Sequence, residues 1–224
     1  IGLGIPAEPL FRSASMNVVL TSSRRMGKTS LVDFVFDSPG IQEEYVTITV
    51  NILHTTTFRE FILALGTAVF DCVATRSEKL RKQFVTFLKS LSASFGYDTL
   101  LNMPTFDIKL GDVQRPEYTL NEIFAYLEAV DKRCLVVIDE FQQITRYPEK
   151  NVEAMLRTYI QKMSNANFVF SGSRRRLIEE MFFSSKRPFY QSAKSLCLEP
   201  IKTAVYQEFA IHHFQQAEKN ITAD

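Results

Sequence analysis

The chain has 224 residues, room for one large α/β domain or two small ones and ample for a buried core. Its 46% hydrophobic and 23% charged residues make an ordinary globular composition, which excludes disordered and collagen-like classes. A net charge of +1 gives no global case for nucleic acid, so any such role has to rest on local patches.

In chain order, Asn17 to Leu20 (NVVL) is a short apolar run of the kind a buried parallel strand shows. From Lys28 onward Leu31, Phe34 and Val35 recur at helical spacing, and Ser38-Pro39-Gly40 stops that helix. "YVTITV", Tyr45 to Val50, reads as a strand, and helical patterns follow over Thr57–Val73 and Ser77–Leu91. Within the first of these, Phe61 to Phe70 is strongly apolar but too short to cross a bilayer, so it predicts a core helix and no membrane association. In the less regular stretch Phe95 to Pro116, Phe106, Ile108 and Leu110 alternate with Thr105, Asp107 and Lys109, which suggests a half-exposed strand or hairpin arm. Thr119 and Glu122 form a capping box ahead of a helix running to about Asp131. "CLVVIDEF", Cys134 to Phe141, is the most apolar strand and ends in two carboxylates. Val152 to Met163 reads as a helix, Asn167 to Ser173 (NFVFSGS) as a strand, Leu177 to Phe183 as a helix, "AKSLCLEPI" as a last strand and Ala204 to Phe214 as a last helix. Strands alternating with helices imply a mostly parallel sheet covered on both faces.

Cys72, Cys134 and Cys197 are widely scattered with no C-x-x-C spacing, which favours reduced core thiols in a cytoplasmic protein. His54, His212 and His213 lack metal-ligand spacing. The chain opens at Ile1 without a Met or a leader pattern and closes on "EKNITAD" just after a helical run, as a segment of a longer protein does.

The stretch "TSSRRMGKTSLV", Thr21 to Val32, ends like a phosphate-binding loop in Gly27-Lys28-Thr29, but Ser22 stands where G-x-x-x-x-G-K-[ST] has its first glycine. The strand before it and the helix after it supply the context that motif needs. In open parallel sheets ligands bind beyond the carboxyl ends of the strands, and residues 22–30, 139–140 and 171–174 all fall at such ends. Backbone N–H groups from Arg24 to Thr29 would wrap phosphates, Gly27 would allow close approach of the main chain, Lys28 would reach the β- and γ-phosphates and the Thr29 hydroxyl would bind Mg²⁺. The candidate cofactor-binding set is therefore Ser22, Ser23, Arg24, Arg25, Met26, Gly27, Lys28, Thr29 and Ser30. A carboxylate ending a hydrophobic strand is costly unless a cation offsets it, which makes Asp139 the second Mg²⁺ candidate beside Thr29. Glu140 is the candidate general base. Ser171 and Ser173 would orient the attacking water or touch the γ-phosphate, and one of Arg174, Arg175 and Arg176, with Arg174 the catalytic candidate, would stabilise transition-state charge. Lys79-Leu80-Arg81-Lys82 and Lys186-Arg187 read as ordinary amphipathic surface, and the 19 Phe and 8 Tyr are spread at core spacing rather than interleaved with basic residues.

Ser22 to Leu31 resembles the G-P-R-R-x-G-K-T-S-L loop of the prokaryotic and archaeal-type P-loop ATPases, a family of the STAND branch of AAA+-related NTPases; the paired Arg24-Arg25 are the telling part. Leu135 to Phe141 matches that family's Walker-B strand. Phe170 to Ser173 matches its Gly-Ser after the sensor strand, and Pro188-Phe189-Tyr190 its P-F-Y-G-R segment, with Gln191-Ser192 in place of Gly-Arg. These matches span about residues 17–210. The resemblance implies a three-layer αβα P-loop NTPase of the ASCE type with a mostly parallel five-stranded sheet, in which an extra strand separates the Walker-A and Walker-B strands. It implies a core over residues 1–200 and the start of a helical lid over 201–224. It also implies ATP and Mg²⁺ as cofactors, with a homo-oligomer or protein partner moved by the nucleotide state. A weakly hydrolysing nucleotide-binding scaffold and a DNA-associated ATPase are the other readings. Ser22 is compatible with the loop provided its φ is negative.

Overall fold

The computed structural model describes residues 16–23, 25–76, 78–88, 94–98, 103–107 and 113–216. The apolar run expected near residue 18 is β1 (Val18–Thr21), fully buried, and the helix after the loop is α1 (Lys28–Phe36). Ser38-Pro39-Gly40 does end α1, but it also starts a further short helix that the sequence reading missed, α2 (Pro39–Glu44). Pro39 sits at the first helical position, where its missing N–H costs nothing and its fixed φ is already helical. The chain continues as β2 (Tyr45–Asn51), α3 (Phe58–Arg76) and α4 (Glu78–Phe87).

The expected hairpin arm is β3 (Ser94–Asp98) paired antiparallel with β4 (Met103–Asp107), a two-stranded sheet separate from the main one. Ile108 and Leu110 of the alternation lie outside the described residues. Helix α5 (Pro116–Ala129) begins three residues before the predicted capping box. Thr119 is buried inside it and donates its hydroxyl back to the Arg115 carbonyl, so Pro116 at the first position, not Thr119, marks the start. After β5 (Arg133–Asp139) come a 3-10 segment over Phe141–Arg146, then α6 (Val152–Lys162), β6 (Ala166–Ser171), α7 (Arg175–Phe183), β7 (Lys194–Cys197) and α8 (Thr203–Gln216).

The main sheet has the order β2-β5-β6-β1-β7, and all four pairings are parallel. Strand β6 thus lies between β1 and β5, the insertion the resemblance implied. The period-two pleat divides each strand between two cores. Val18, Leu20, Leu135, Val137 and Val169 face Val32 and Phe36 of α1 and Ile41 of α2. Val19, Cys134, Val136, Ile138, Phe168 and Phe170 face the larger core built with α3, α4, α5, α6 and α7. The result is three layers, helices on both sides of a parallel sheet, and it delivers the ends of β1, β2, β5 and β6 to one edge.

Two further expectations change. Cys134 is a buried thiol as predicted, but Cys197, at the end of edge strand β7, is exposed. Arg187 is not a solvated surface arginine: it forms an ion pair with Glu153 of α6 and stands 3.9 Å from Glu180 of α7, which ties the segment before β7 to two helices. Burial raises the Glu153 carboxyl above the ordinary glutamate range, and the Arg187 charge opposes that shift. On α8 no residue is buried, and Val205, Tyr206, Phe209 and Phe214 stand exposed along it. Among the described residues no helix is long and apolar enough to cross a membrane.

Candidate functional site

The loop between β1 and α1 bends where its residue types allow. Gly27 has φ +76°, a left-handed conformation that L side chains rarely adopt, and it caps α1 with its carbonyl accepting from Leu31 N at 2.9 Å. A Cβ on Gly27 would meet nothing within 4 Å, so the backbone conformation, and not crowding within the protein, requires glycine. Arg25 also has positive φ (62°), whereas Ser22 is absent from the positive-φ set and so meets the condition set for it. Ser22 is 1% exposed; its hydroxyl donates to the Ser23 carbonyl at 2.8 Å and accepts from Lys28 Nζ at 3.0 Å. The lysine therefore curls back over the loop onto the side chain that stands in the glycine's place. Ser23, Arg25, Thr29 and Ser30 are exposed, and Met26 and Lys28 half-exposed. Among the described residues no side chain caps the start of α1, so its first N–H groups and the positive end of its dipole are offered to an anion. Arg24 lies outside the described residues.

Across β6, both strand-end carboxylates are fixed by neighbouring strands. Asp139 Oδ1 accepts from the Ser171 hydroxyl and from Glu140 N at 3.0 Å, and Oδ2 accepts from Asn51 Nδ2 at 3.3 Å. The register explains this: Asn51 is the direct partner of Asp139 in the β2/β5 pairing, and Ser171 follows Phe170, the partner of Ile138. Glu140 leaves the strand in a left-handed conformation, φ 59°, which costs a non-glycine residue about 1–3 kcal/mol and persists only where surroundings impose it. Its Oε2 accepts from Ser173 Oγ at 2.9 Å, from Ser173 N at 3.4 Å and from Gln142 Nε2. Ser171 and Ser173, singled out as residues that touch phosphate or water, thus bond directly to Asp139 and Glu140. Arg174 stands exposed just before α7, and Arg175 pairs with Glu179 at 2.7 Å within that helix.

Beneath these groups four phenylalanines pack together, Phe189 edge-on to Phe141 and Phe170 and the other pairs tilted. Phe141 follows Glu140, Phe170 precedes Ser171, Phe182 is on α7 and Phe189 comes from the Pro-Phe-Tyr segment. Their ring centroids are 4.6–6.0 Å apart, close enough for favourable aromatic contact. This cluster sets the positions from which the two carboxylates and two serines start. Gln191, which stands where the resembling segment has glycine, has φ 52°, and its N–H donates to the Phe182 carbonyl at 3.1 Å.

Neither Asn51 nor Gln142 was singled out from the sequence. Asn51 had a usable signal, a polar residue ending a β-branched strand. Gln142, 3% exposed, carries no local pattern that announces it, and Gly172, part of the Phe170–Ser173 match, gave no sign that it packs on Gln142.

The sheet order, with β6 separating the loop strand β1 from the carboxylate strand β5, and the loop running straight into a helix decide the architecture. The fold is that of a P-loop NTPase. Solved structures with this arrangement include a Walker-type ATPase of Pyrococcus abyssi (TM-score 0.61, 17% identity, 96% of this chain and 57% of that one). Others are the Aeropyrum pernix ORC2 protein in ADPNP-ADP complexes (0.53, 14%, 90% and 46%) and the Drosophila ORC bound to DNA (0.53, 14%, 91% and 42%). The chain spans 42–57% of the length of those structures. No family model and no curated protein matches the sequence.

Proposed function

We propose that the chain binds ATP with Mg²⁺ and hydrolyses it, using the nucleotide state to drive a conformational or assembly switch. One observation carries the reading. The left-handed Gly27 loop with Lys28, and the paired Asp139 and Glu140 with Ser171 and Ser173 bonded to them, end three neighbouring strands at one sheet edge. In this reading the loop amides and Lys28 bind the phosphates. Thr29 and Asp139 are the oxygen donors for Mg²⁺; no group of three or more His, Cys, Asp or Glu gathers among the described residues, which suits an ion completed by water and phosphate oxygens rather than a protein cage. The ion would neutralise charge on the transferring phosphoryl group. Glu140 takes the proton of the attacking water, Ser171 and Ser173 hold the two carboxylates, and Arg174 meets transition-state charge.

The test is a pair of variants. Lys28→Ala is expected to lose Mg-ATP binding, and Glu140→Gln to keep binding and lose turnover by about 100-fold or more. Hydrolysis by Glu140→Gln at the parental rate removes the mechanism. Tight, Mg-dependent binding without turnover by the parent would instead make the chain a nucleotide-binding scaffold. A DNA-associated ATPase is the second reading, favoured by exposed Arg174 and Arg176 beside the site and by the fold shared with the DNA-bound Drosophila ORC. Duplex binding that weakens steeply with salt supports it, and indifference to DNA at low salt removes it. Residues 201–224 are, in the same proposal, the start of a helical lid, with the exposed apolar side chains of α8 as the surface it would pack.

A further inference from the structure

We propose that Gln142 is a positioning residue for Glu140, an inference that rests on the ATPase reading above. Three donors converge on a single carboxylate oxygen, Glu140 Oε2: the Ser173 N–H, the Ser173 hydroxyl and the Gln142 side-chain amide. Only the nitrogen end of that amide can donate, so the bonding fixes which way Gln142 points. Its carbonyl end is then driven against the main chain after β6, with Oε1 only 1.9 Å from where a Cβ on Gly172 would stand. Gln142 is thus held between a carboxylate and a backbone wall in a site that leaves it 3% exposed. Glu140, otherwise a half-exposed side chain on a strained residue, is thereby pinned through Oε2 and left with Oε1 for the attacking water.

The unpartnered end of the same side chain says what Gln142 is for. Its Oε1 is buried with no hydrogen-bond partner among the described residues, a state that is destabilising and that an apolar side chain of equal size would avoid. A glutamine kept here against that cost, among Phe141, Ile178 and the sheet, serves the bond its nitrogen makes and not the core it sits in. Fixing a catalytic group through its neighbours is the usual way a site reaches productive geometry.

The discriminating variant is Gln142→Met, which keeps the volume and removes the donor, with Gln142→Leu as a second apolar replacement. The expected result is a melting temperature equal to or above the parent's, a KM for ATP within about twofold of the parent's, and a kcat at least about tenfold lower, a part of the 10²–10⁴ that a positioned general base contributes. A folded Gln142→Met or Gln142→Leu with parental kcat overturns the inference and leaves the ATPase reading standing. A fall in kcat that tracks a lower melting temperature in both variants assigns Gln142 to the fold and also overturns it. A parent that hydrolyses no ATP overturns the ATPase reading itself, and this inference with it.

Discussion

Gly172→Ala tests the packing that holds the proposed base. Gly172 is not in the left-handed region, so alanine meets no backbone objection and even gains about 0.4–1 kcal/mol by restricting the unfolded chain. The objection is space. The new Cβ would lie 1.9 Å from Gln142 Oε1, 3.0 Å from Gln142 Cδ and 2.9 Å from Ile178 Cγ1. Packed heavy atoms sit about 3.5–4.0 Å apart, so the amide must retreat by more than about 1 Å inside a site that leaves Gln142 only 3% exposed. Overpacking of this kind costs about 1–3 kcal/mol. The retreat also breaks the bond from Gln142 Nε2 to Glu140, and bonds to charged groups contribute about 1.5–3 kcal/mol. The lower end applies because Glu140 is half-exposed and keeps both Ser173 donors.

The net expectation is a loss of about 2–3 kcal/mol, which for a chain of this size lowers the melting temperature by about 4–12 °C. Thermal and urea denaturation of the single variants and of Gly172→Ala combined with Gln142→Ala form a double-mutant cycle. Truncating Gln142 removes the nearer obstacle and leaves only Ile178 Cγ1, so Gly172→Ala should cost clearly less in that background than in the parent. A single variant as stable as the parent, or one that loses the same amount whether or not Gln142 is truncated, would show that the amide is not the wall and would refute the reasoning.

Four other outcomes are expected. Phe189→Ala, which empties the centre of the four-ring cluster, should cost about 3–5 kcal/mol by denaturant titration and lower turnover through Glu140 and Ser171 while leaving the Lys28 loop able to bind nucleotide. Ser22→Gly restores the usual loop motif yet should lower stability by about 1–2 kcal/mol, because it removes the acceptor of Lys28 Nζ and adds a flexible residue; a stabilised variant would refute it. Gly27→Ala should be destabilised by about 1–2 kcal/mol from φ alone, since its Cβ meets open space. Glu60 accepts hydrogen bonds from the Thr56 N–H and hydroxyl, which hold its carboxyl below the ordinary glutamate value. A depressed folded value contributes stability above the unfolded value and loses it as pH falls through the folded one, so Glu60→Gln should lower the melting temperature at pH 7 and make progressively less difference as the pH falls through that depressed value.

Most of the fold was legible because buried parallel strands print themselves as short apolar runs, and β1, β2, β5 and β6 each follow that rule to within about two residues. Two helix starts were misread for one reason, the double meaning of proline, while the expected ends at Val73 and Leu91 fall instead at Arg76 and Phe87. At Pro39 a stop signal was also a start signal, and at Pro116 the true start was passed over for a capping box whose threonine turns out to be buried and bonded backwards to Arg115. A capping box requires its first residue to lie outside the helix, and nothing local to Thr119 says that it does not.

The site divides along a different line. Gly27, Lys28, Asp139, Glu140, Ser171 and Ser173 could be named from the sequence, since each ends a strand or opens a helix and a strand end is where a parallel sheet binds ligands. Their bonds could not be named, because Asn51 to Asp139 spans 88 residues and Ser171 to Asp139 spans 32, and both depend on strand order and register rather than on neighbouring letters. The departure at Ser22 shows how much that matters. As a letter it is a missing glycine. In the fold it is a buried hydroxyl whose backbone has no need of positive φ and whose oxygen receives Lys28, so the loop here replaces conformational freedom at its first position with a side-chain contact to its own lysine. The positive φ that the motif needs is supplied instead at Arg25 and Gly27, close to where the first N–H groups of α1 are offered to an anion.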